Sequence, residues 1–291
     1  MRRRSIAAFG ERVCTQSKAK GEMAASGAWQ CVFEMTEFDD VSPSPAPFLC
    51  LAIGGNIGAG KSTAIAAVRR RFADRFVPLE PDAGVPAGDR PIVMCAPEAG
   101  GGTWGGYLAK FYRNPKKYAF RMHAEVVRHY HDVTEAVRMA RRIARLGTPV
   151  AFLVERCPAE VWSVFVSQNR ERFSPTQLDM IRSWADAYQH DLEPWRSATY
   201  VHVTTPPDVC AERVGARARP GEHGVVDASY LRALDSRLRA LYADANAFAA
   251  EARVVSTDSD RVLALLCDEI DRLAVGAPVT VPPMRERFEI R

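Results

Sequence analysis

Lys61 and Ser62 end the run Gly55-Asn56-Ile57-Gly58-Ala59-Gly60-Lys61-Ser62, a G-x-x-x-x-G-K-[ST] spacing suited to holding phosphate, and Thr63 follows. Glycines at 55, 58 and 60 let successive backbone N–H groups turn inward to cradle phosphate oxygens. Lys61 supplies a mobile positive charge for the outer phosphates, and Ser62 a hydroxyl for Mg²⁺. Such a loop needs a strand before it and a helix after it. Phe48-Leu-Cys-Leu-Ala-Ile53 reads as a buried parallel strand, and Ser62 to Phe72 as a helix whose positive N-terminal dipole adds to the anion site.

Other charged groups sit where a parallel sheet would deliver them. The apolar run from Gly147 to Val154 reads as a second buried strand ending in Glu155-Arg156-Cys157. An acid and an arginine at that end are where Mg²⁺ and a migrating phosphoryl group need them. Two more carboxylates compete for a place just beyond a strand. Glu80 closes a short strand-like run from Arg75 and precedes Pro81; Glu98 closes the run from Pro91 and is followed by a Gly-rich segment ending at Trp104. Helical periodicity from Tyr107 to Arg145, interrupted at Asn114-Pro115, places Tyr118, Met122, Val126, Val127 and Val133 in the core. His123, His129 and His131 on the same stretch lack a third ligand at zinc spacing and read as solvated helix histidines.

Pro158 to Trp195 reads as helical, and Ala198 to Val203 as a further strand closed by Thr204-Thr-Pro-Pro207. Asp208 is expected to cap a helix carrying Arg213 and Arg217 on one face, with Arg219 and Glu222 at a Pro-Gly turn. An arginine row running into a flexible turn suits a lid that closes on phosphates. Tyr230 to Ala250 reads as a long helix, Arg253 to Ser256 as a last strand and Val262 to Val275 as a closing amphipathic helix.

Composition is compatible with one domain carrying this chemistry. The 291 residues are 47% apolar, enough for one large core spanning 47–275 between an irregular, partly basic extension at 1–46 and a Pro-containing tail at 276–291. Lys and Arg number 39 against 35 Asp and Glu, a mild excess that suits anionic nucleotides and does not demand a nucleic-acid partner. Seven scattered cysteines without a CxxC pair indicate neither a disulfide framework nor a zinc site, and favour a reducing, cytoplasmic compartment. The Arg-rich, Ser-containing start allows a mitochondrial alternative, against which Glu11, Glu22 and Glu34 count. No apolar run is long enough to suggest a membrane span.

Several of these motifs, taken in order, resemble the deoxynucleoside kinase family, meaning the deoxycytidine, deoxyguanosine, deoxyadenosine and mitochondrial thymidine kinases. The resemblance covers roughly residues 48 to 260. It rests on Gly54 to Thr63, on Phe111-Tyr-Arg-Asn-Pro-Lys-Lys-Tyr-Ala-Phe120, on Glu155-Arg156-Cys157 (the family has Ser third), and on Thr204-Thr-Pro through the arginines to Glu222. It implies an α/β P-loop NTPase fold, a parallel β-sheet flanked by helices with an Arg-rich lid. The implied activity is transfer of the γ-phosphate of ATP, with Mg²⁺, to the 5′-hydroxyl of a deoxynucleoside, by a homodimer paired through long helices around 110–145 and 160–190.

The implied roles are equally specific. Ser62 and Glu155 would hold Mg²⁺; Arg156 would steady the general base and the phosphate; Lys61, Arg213, Arg217 and Arg219 would neutralise the migrating charge. Tyr112 and Glu222 would meet the sugar 3′-hydroxyl, and Trp104 would line the substrate side. The base is either Glu80, nineteen residues past Lys61 and followed by proline as in the family, or Glu98, which has a strand before it and Trp104 six residues after it. Glu98 is favoured. His123 stands where the family has a base-reading Gln, while Tyr130 and Val161, with Glu160 adjacent, stand where it has a base-contacting Arg and Asp. The nucleobase is therefore not readable from these positions. A nucleoside monophosphate kinase and a non-catalytic nucleotide-binding protein on the same fold are the alternatives. A carboxylate near the acceptor would repel the phosphate of the first, and the retained charge set has no physical reason to persist in the second.

Overall fold

The computed structural model describes residues 47–78, 90–96, 103–145, 147–188, 195–219, 222 and 224–274. The expected extension at 1–46, the tail at 276–291, and both candidate bases, Glu80 and Glu98, lie outside them.

Five strands form one parallel sheet: β1 (Phe48–Gly55), β2 (Ile92–Cys95), β3 (Val150–Glu155), β4 (Thr199–Val203) and β5 (Arg253–Thr257), in the order β2-β3-β1-β4-β5. β1, and β3 up to Val154, are apolar runs and β4 is buried along its whole length, Thr199 and His202 included, because helices cover both faces of the sheet; Leu51, Ile53, Phe152 and Leu153 are wholly shielded from solvent. Each such side chain contributes roughly 1.5–3 kcal/mol on burial. β5, at an edge, alternates half-buried and exposed positions.

The helices follow their local signals with several shifts. α1 (Lys61–Arg71) starts directly at the phosphate-loop lysine. The helical stretch expected over 107–145 is interrupted at Asn114-Pro115 as expected, giving α2 (Thr103–Arg113), which starts earlier, and α3 (Pro115–Arg145): Pro115 opens the second, and the Asn114 side chain accepts the Lys117 N–H at 3.2 Å. The expected helix over 158–195 is broken into a short turn at Pro158–Glu160, a π-helical turn at Val161–Val166, a 3₁₀ turn at Arg170–Arg172 and α4 (Pro175–Asp186). Ser174 and Gln177 form a reciprocal capping box at the start of α4.

α5 (Pro207–Arg217) begins on Pro206-Pro207 without a side-chain cap. Asp208, expected as that cap, lies inside the first turn and pairs with Arg232 at 3.1 Å, because proline at the first helical position already sets the backbone angle. α6 (Ala228–Ala243) starts under the Asp227 side chain and ends well short of the expected Ala250, and α7 (Val262–Ala274) closes the described chain. The strand expected at 75–80 is reduced, in its described part, to one bridge from Phe76 to Val93. No described helix is long and apolar enough to cross a membrane.

Candidate active site

Strand register assembles the site. Ile53 of β1 pairs with Glu155 of β3, and the Arg156 N–H extends the ladder to the Ile53 carbonyl at 2.8 Å. The acid and arginine that end β3 are thereby set beside the loop that leaves β1, at the C-terminal edge where the chain crosses to either side of β1.

The loop is held in a conformation only some residues tolerate. Gly58 has φ +81°, and a Cβ there would lie 2.7 Å from the Cys210 carbonyl oxygen; Gly60 caps α1 at φ +96°. Asn56 is buried, donating to the Leu231 carbonyl of α6 at 2.8 Å and accepting the Ile57 N–H. Thr205, just past β4, donates to the Ala59 carbonyl at 2.9 Å. Only the tertiary contacts reveal these two side chains as anchors of the loop.

Lys61 is 4% exposed, and its ammonium donates to the Gly55 and Asn56 carbonyls at 3.2 and 2.7 Å, 3.7 Å from Glu155. Burial and then the Arg156 charge lower its pKa to about 8, Glu155 and Glu160 offsetting part of that. The Ser62 hydroxyl donates to Glu155 at 2.8 Å. Burial alone would raise the Glu155 carboxyl, but Lys61, Arg156 and the Ser62 hydrogen bond outweigh it and hold Glu155 below its ordinary range. A hydroxyl and a carboxylate side by side form a hard-oxygen pair of the kind Mg²⁺ takes from proteins that bind it together with phosphates. Among the described residues no three His, Cys, Asp or Glu side chains converge as a metal cluster.

One cavity of about 830 Å³ joins these groups to the rest. At the phosphate end stand Lys61, Ser62, Glu155 and Arg156, with Arg213, Arg217 and Arg219 of the expected lid. Arg213 reaches the Gly58 carbonyl at 3.4 Å and Ser259 at 3.5 Å. Arg217 is gripped by Glu222 through two hydrogen bonds, of 3.0 and 2.6 Å. Ser259 and Asp260, from the β5–α7 turn, and Leu263, in the first turn of α7, also line the cavity; sequence patterns gave no signal for them.

Toward the other end the walls are largely aromatic and aliphatic: Leu108, Phe111, Met122, Val126, Tyr130 and Phe165. Tyr112 and Glu222 line the same cavity, and burial followed by the Tyr230 and Glu222 charges pushes the Tyr112 hydroxyl well above its ordinary pKa. His123 is not the solvated histidine expected, and neither is His129: they are 1% and 7% exposed. The His123 ring lies between Phe111 and Phe173, its Nδ1 2.8 Å from the Ala119 carbonyl and its Nε2 without a hydrogen-bond partner among the described residues. Burial lowers its pKa to about 4, so the ring is neutral. A carbonyl can only accept, which places the proton on Nδ1 and leaves Nε2 as an acceptor. Tyr130 and Val161 are buried cavity residues with no charge to offer a base. The backbone of Trp104 lies in α2; its side chain falls outside the described set.

Two comparisons with known proteins bear on the family of the chain. A family model described as "Deoxynucleoside kinase" matches residues 51–275. A thymidine kinase of Ictalurid herpesvirus 1 (strain Auburn) is 29% identical over 249 residues, spanning 82% of this chain and 95% of that protein.

Proposed function

The chain belongs to the deoxynucleoside kinase family, and we propose that within it this protein phosphorylates the 5′-hydroxyl of thymidine or a close analogue, with Mg²⁺ held by Ser62 and Glu155. It is a nucleoside kinase, a phosphotransferase with ATP as phosphate donor, and nothing favours the two alternatives. The observation that carries the fuller reading is one cavity lined both by the phosphate loop with its cations and by aromatic and aliphatic side chains that a nucleoside needs. Phosphoryl transfer asks mainly for positioning and charge neutralisation, and that cavity offers both.

In this reading the loop N–H groups and Lys61 hold the ATP phosphates, and Arg156 orients the transferring group. Arg213, Arg217 and Arg219 neutralise the charge it carries. Mg²⁺ would neutralise the outer phosphate oxygens. Tyr112 and Glu222 hold the sugar, Trp104 lines its pocket, and Glu98, or else Glu80, accepts the hydroxyl proton. For the base, His123 Nε2 is an acceptor shielded from solvent; turned toward the ligand it would suit the ring N–H that thymine presents, whereas cytosine carries a lone pair at that ring position. The relative's printed activity supports the same choice. Pairing of two copies through α3 and α4 belongs to this proposal too; Phe120 and Trp184, from those helices, lie 6.4 Å apart and remain half-buried.

The test is transfer from ATP/Mg²⁺ to each of the four common deoxynucleosides and their 5′-monophosphates, with Lys61→Ala as control. Thymidine is expected to give the highest kcat/KM, and the control is expected to lose activity by orders of magnitude. Equal turnover of all four nucleosides would sink the assignment of His123, and phosphorylation of monophosphates alone would sink the acceptor.

A further inference from the structure

Glu160 belongs to no phosphate-binding pattern, yet its carboxylate is fully buried and satisfied on both oxygens. Oε2 accepts from Arg156 Nη1 at 2.8 Å. Oε1 accepts the backbone N–H of Gly55 at 3.2 Å and the Tyr242 hydroxyl at 2.8 Å. The same Arg156 nitrogen donates to the Gly55 carbonyl at 3.0 Å. Gly55 is therefore held at its N–H by Glu160 and at its C=O by Arg156 and Lys61.

The surroundings are built to admit this acid. A Cβ on Gly54 would lie 2.1 Å from Glu160 Oε1 and 1.8 Å from the Tyr242 hydroxyl, so only glycine leaves room for both. Tyr242 comes from α6 and stacks on His202 of β4, ring centres 4.4 Å apart. Arg156 itself has φ +69°, a left-handed backbone unusual for a residue with a side chain, and its guanidinium lies over the Phe165 ring at 4.6 Å. An arginine in so strained a backbone needs firm restraint of its long side chain if the charge is to stay in one place.

We propose that Glu160 is a positioning residue that fuses the Arg156 guanidinium and the first peptide of the phosphate loop into one rigid unit, with Tyr242 tying that unit to α6. The inference rests on the reading of Arg156 as a catalytic group. Its logic is preorganisation: the cation meets the transferring phosphate already oriented, and the carboxylate offsets the cost of burying it.

The test is steady-state kinetics on the full chain. Glu160→Gln keeps the size and can still accept from Gly55 and Tyr242, but loses the charge that holds Arg156. Its kcat is expected to fall about a hundredfold, the penalty typical of a displaced catalytic group, with KM for both substrates nearly unchanged. In an Arg156→Ala background the same substitution is expected to cost no further kcat, because the acid acts through the arginine. Wild-type kcat in Glu160→Gln, or losses that multiply in the double variant, would overturn the proposal. If Glu160→Gln does not fold, Tyr242→Phe removes one bond to Oε1, the carboxylate oxygen opposite the one that holds Arg156, without changing charge. A several-fold lower kcat at constant KM then supports the proposal, and an unaltered kcat overturns it. Full activity in Arg156→Ala would instead overturn the role of Arg156, so the two failures are distinguishable.

Discussion

At the scale of single residues, charge and burial decide which groups are ready for chemistry. Lys61 is buried and Glu155 largely so, yet both are poised, because each compensates part of the other's desolvation. His123 has no such partner. Its pKa falls from 6.5 to about 4 on folding, so the unfolded chain takes up the proton first. The stability it contributes is complete above pH 6.5 and drains as the pH falls from there through 4, by about 3 kcal/mol in total. Denaturant unfolding at several pH values between 7.5 and 4 should show this acid limb in the wild type and a shallower one in His123→Gln. Identical limbs would mean that His123 is protonated in the folded protein. The choice of general base is also a residue-scale question. Glu98→Gln is expected to lower kcat far more than Glu80→Gln; equal mild losses would mean that neither is the base.

At the scale of elements, the loop between β1 and α1 carries the tightest constraints. Gly58→Ala would force a side chain into a left-handed backbone and against the Cys210 carbonyl, at a strain on the order of 1–3 kcal/mol. Calorimetric titration should find ATP binding at least about tenfold weaker in that variant, since RT ln 10 is about 1.4 kcal/mol. Undiminished affinity would show that the loop binds phosphate in some other shape. The α4 capping box is the contrasting case, far in role from the phosphates. Ser174→Ala should cost about 1 kcal/mol of stability and leave kcat alone. A lowered kcat there would mean that α4 positions the site.

At the scale of the molecule, the sheet order puts β1 between β3 and β4, so that the loop from β1, the acid and arginine from β3 and the threonines after β4 meet at one edge. We expect residues 47–275 to hold everything needed for catalysis, as the family match over 51–275 suggests. A chain truncated to 47–275 should show cooperative thermal unfolding and the kcat of the full chain. Failure to turn over thymidine while folded would assign part of the site to the extension or the tail.

Much of this was legible in order along the chain, because phosphate binding and parallel-strand burial both leave local marks. The glycine spacing before Lys61-Ser62, the apolar runs of β1 and β3, and the acid and arginine after Val154 each state their physics within a few residues. The broken helices after Pro158 were not legible, since a π-helical turn leaves no period of its own in the sequence. His123 and His129 were misread as solvated, while His131 is exposed as expected; helical spacing does not say which neighbours will bury a face, and Phe111, from a different helix, and Phe173 do that for His123. Glu160 and Tyr242 stand 82 residues apart, and Glu160 and Gly55 stand 105 apart. The amino-acid sequence by itself determined the phosphate chemistry and the strand, loop and helix that frame it, because those depend on local backbone freedom and hydrophobic period. Only the tertiary structure decided which acids pair with which cations, because a buried charge finds its partner through the register of strands and the packing of helices.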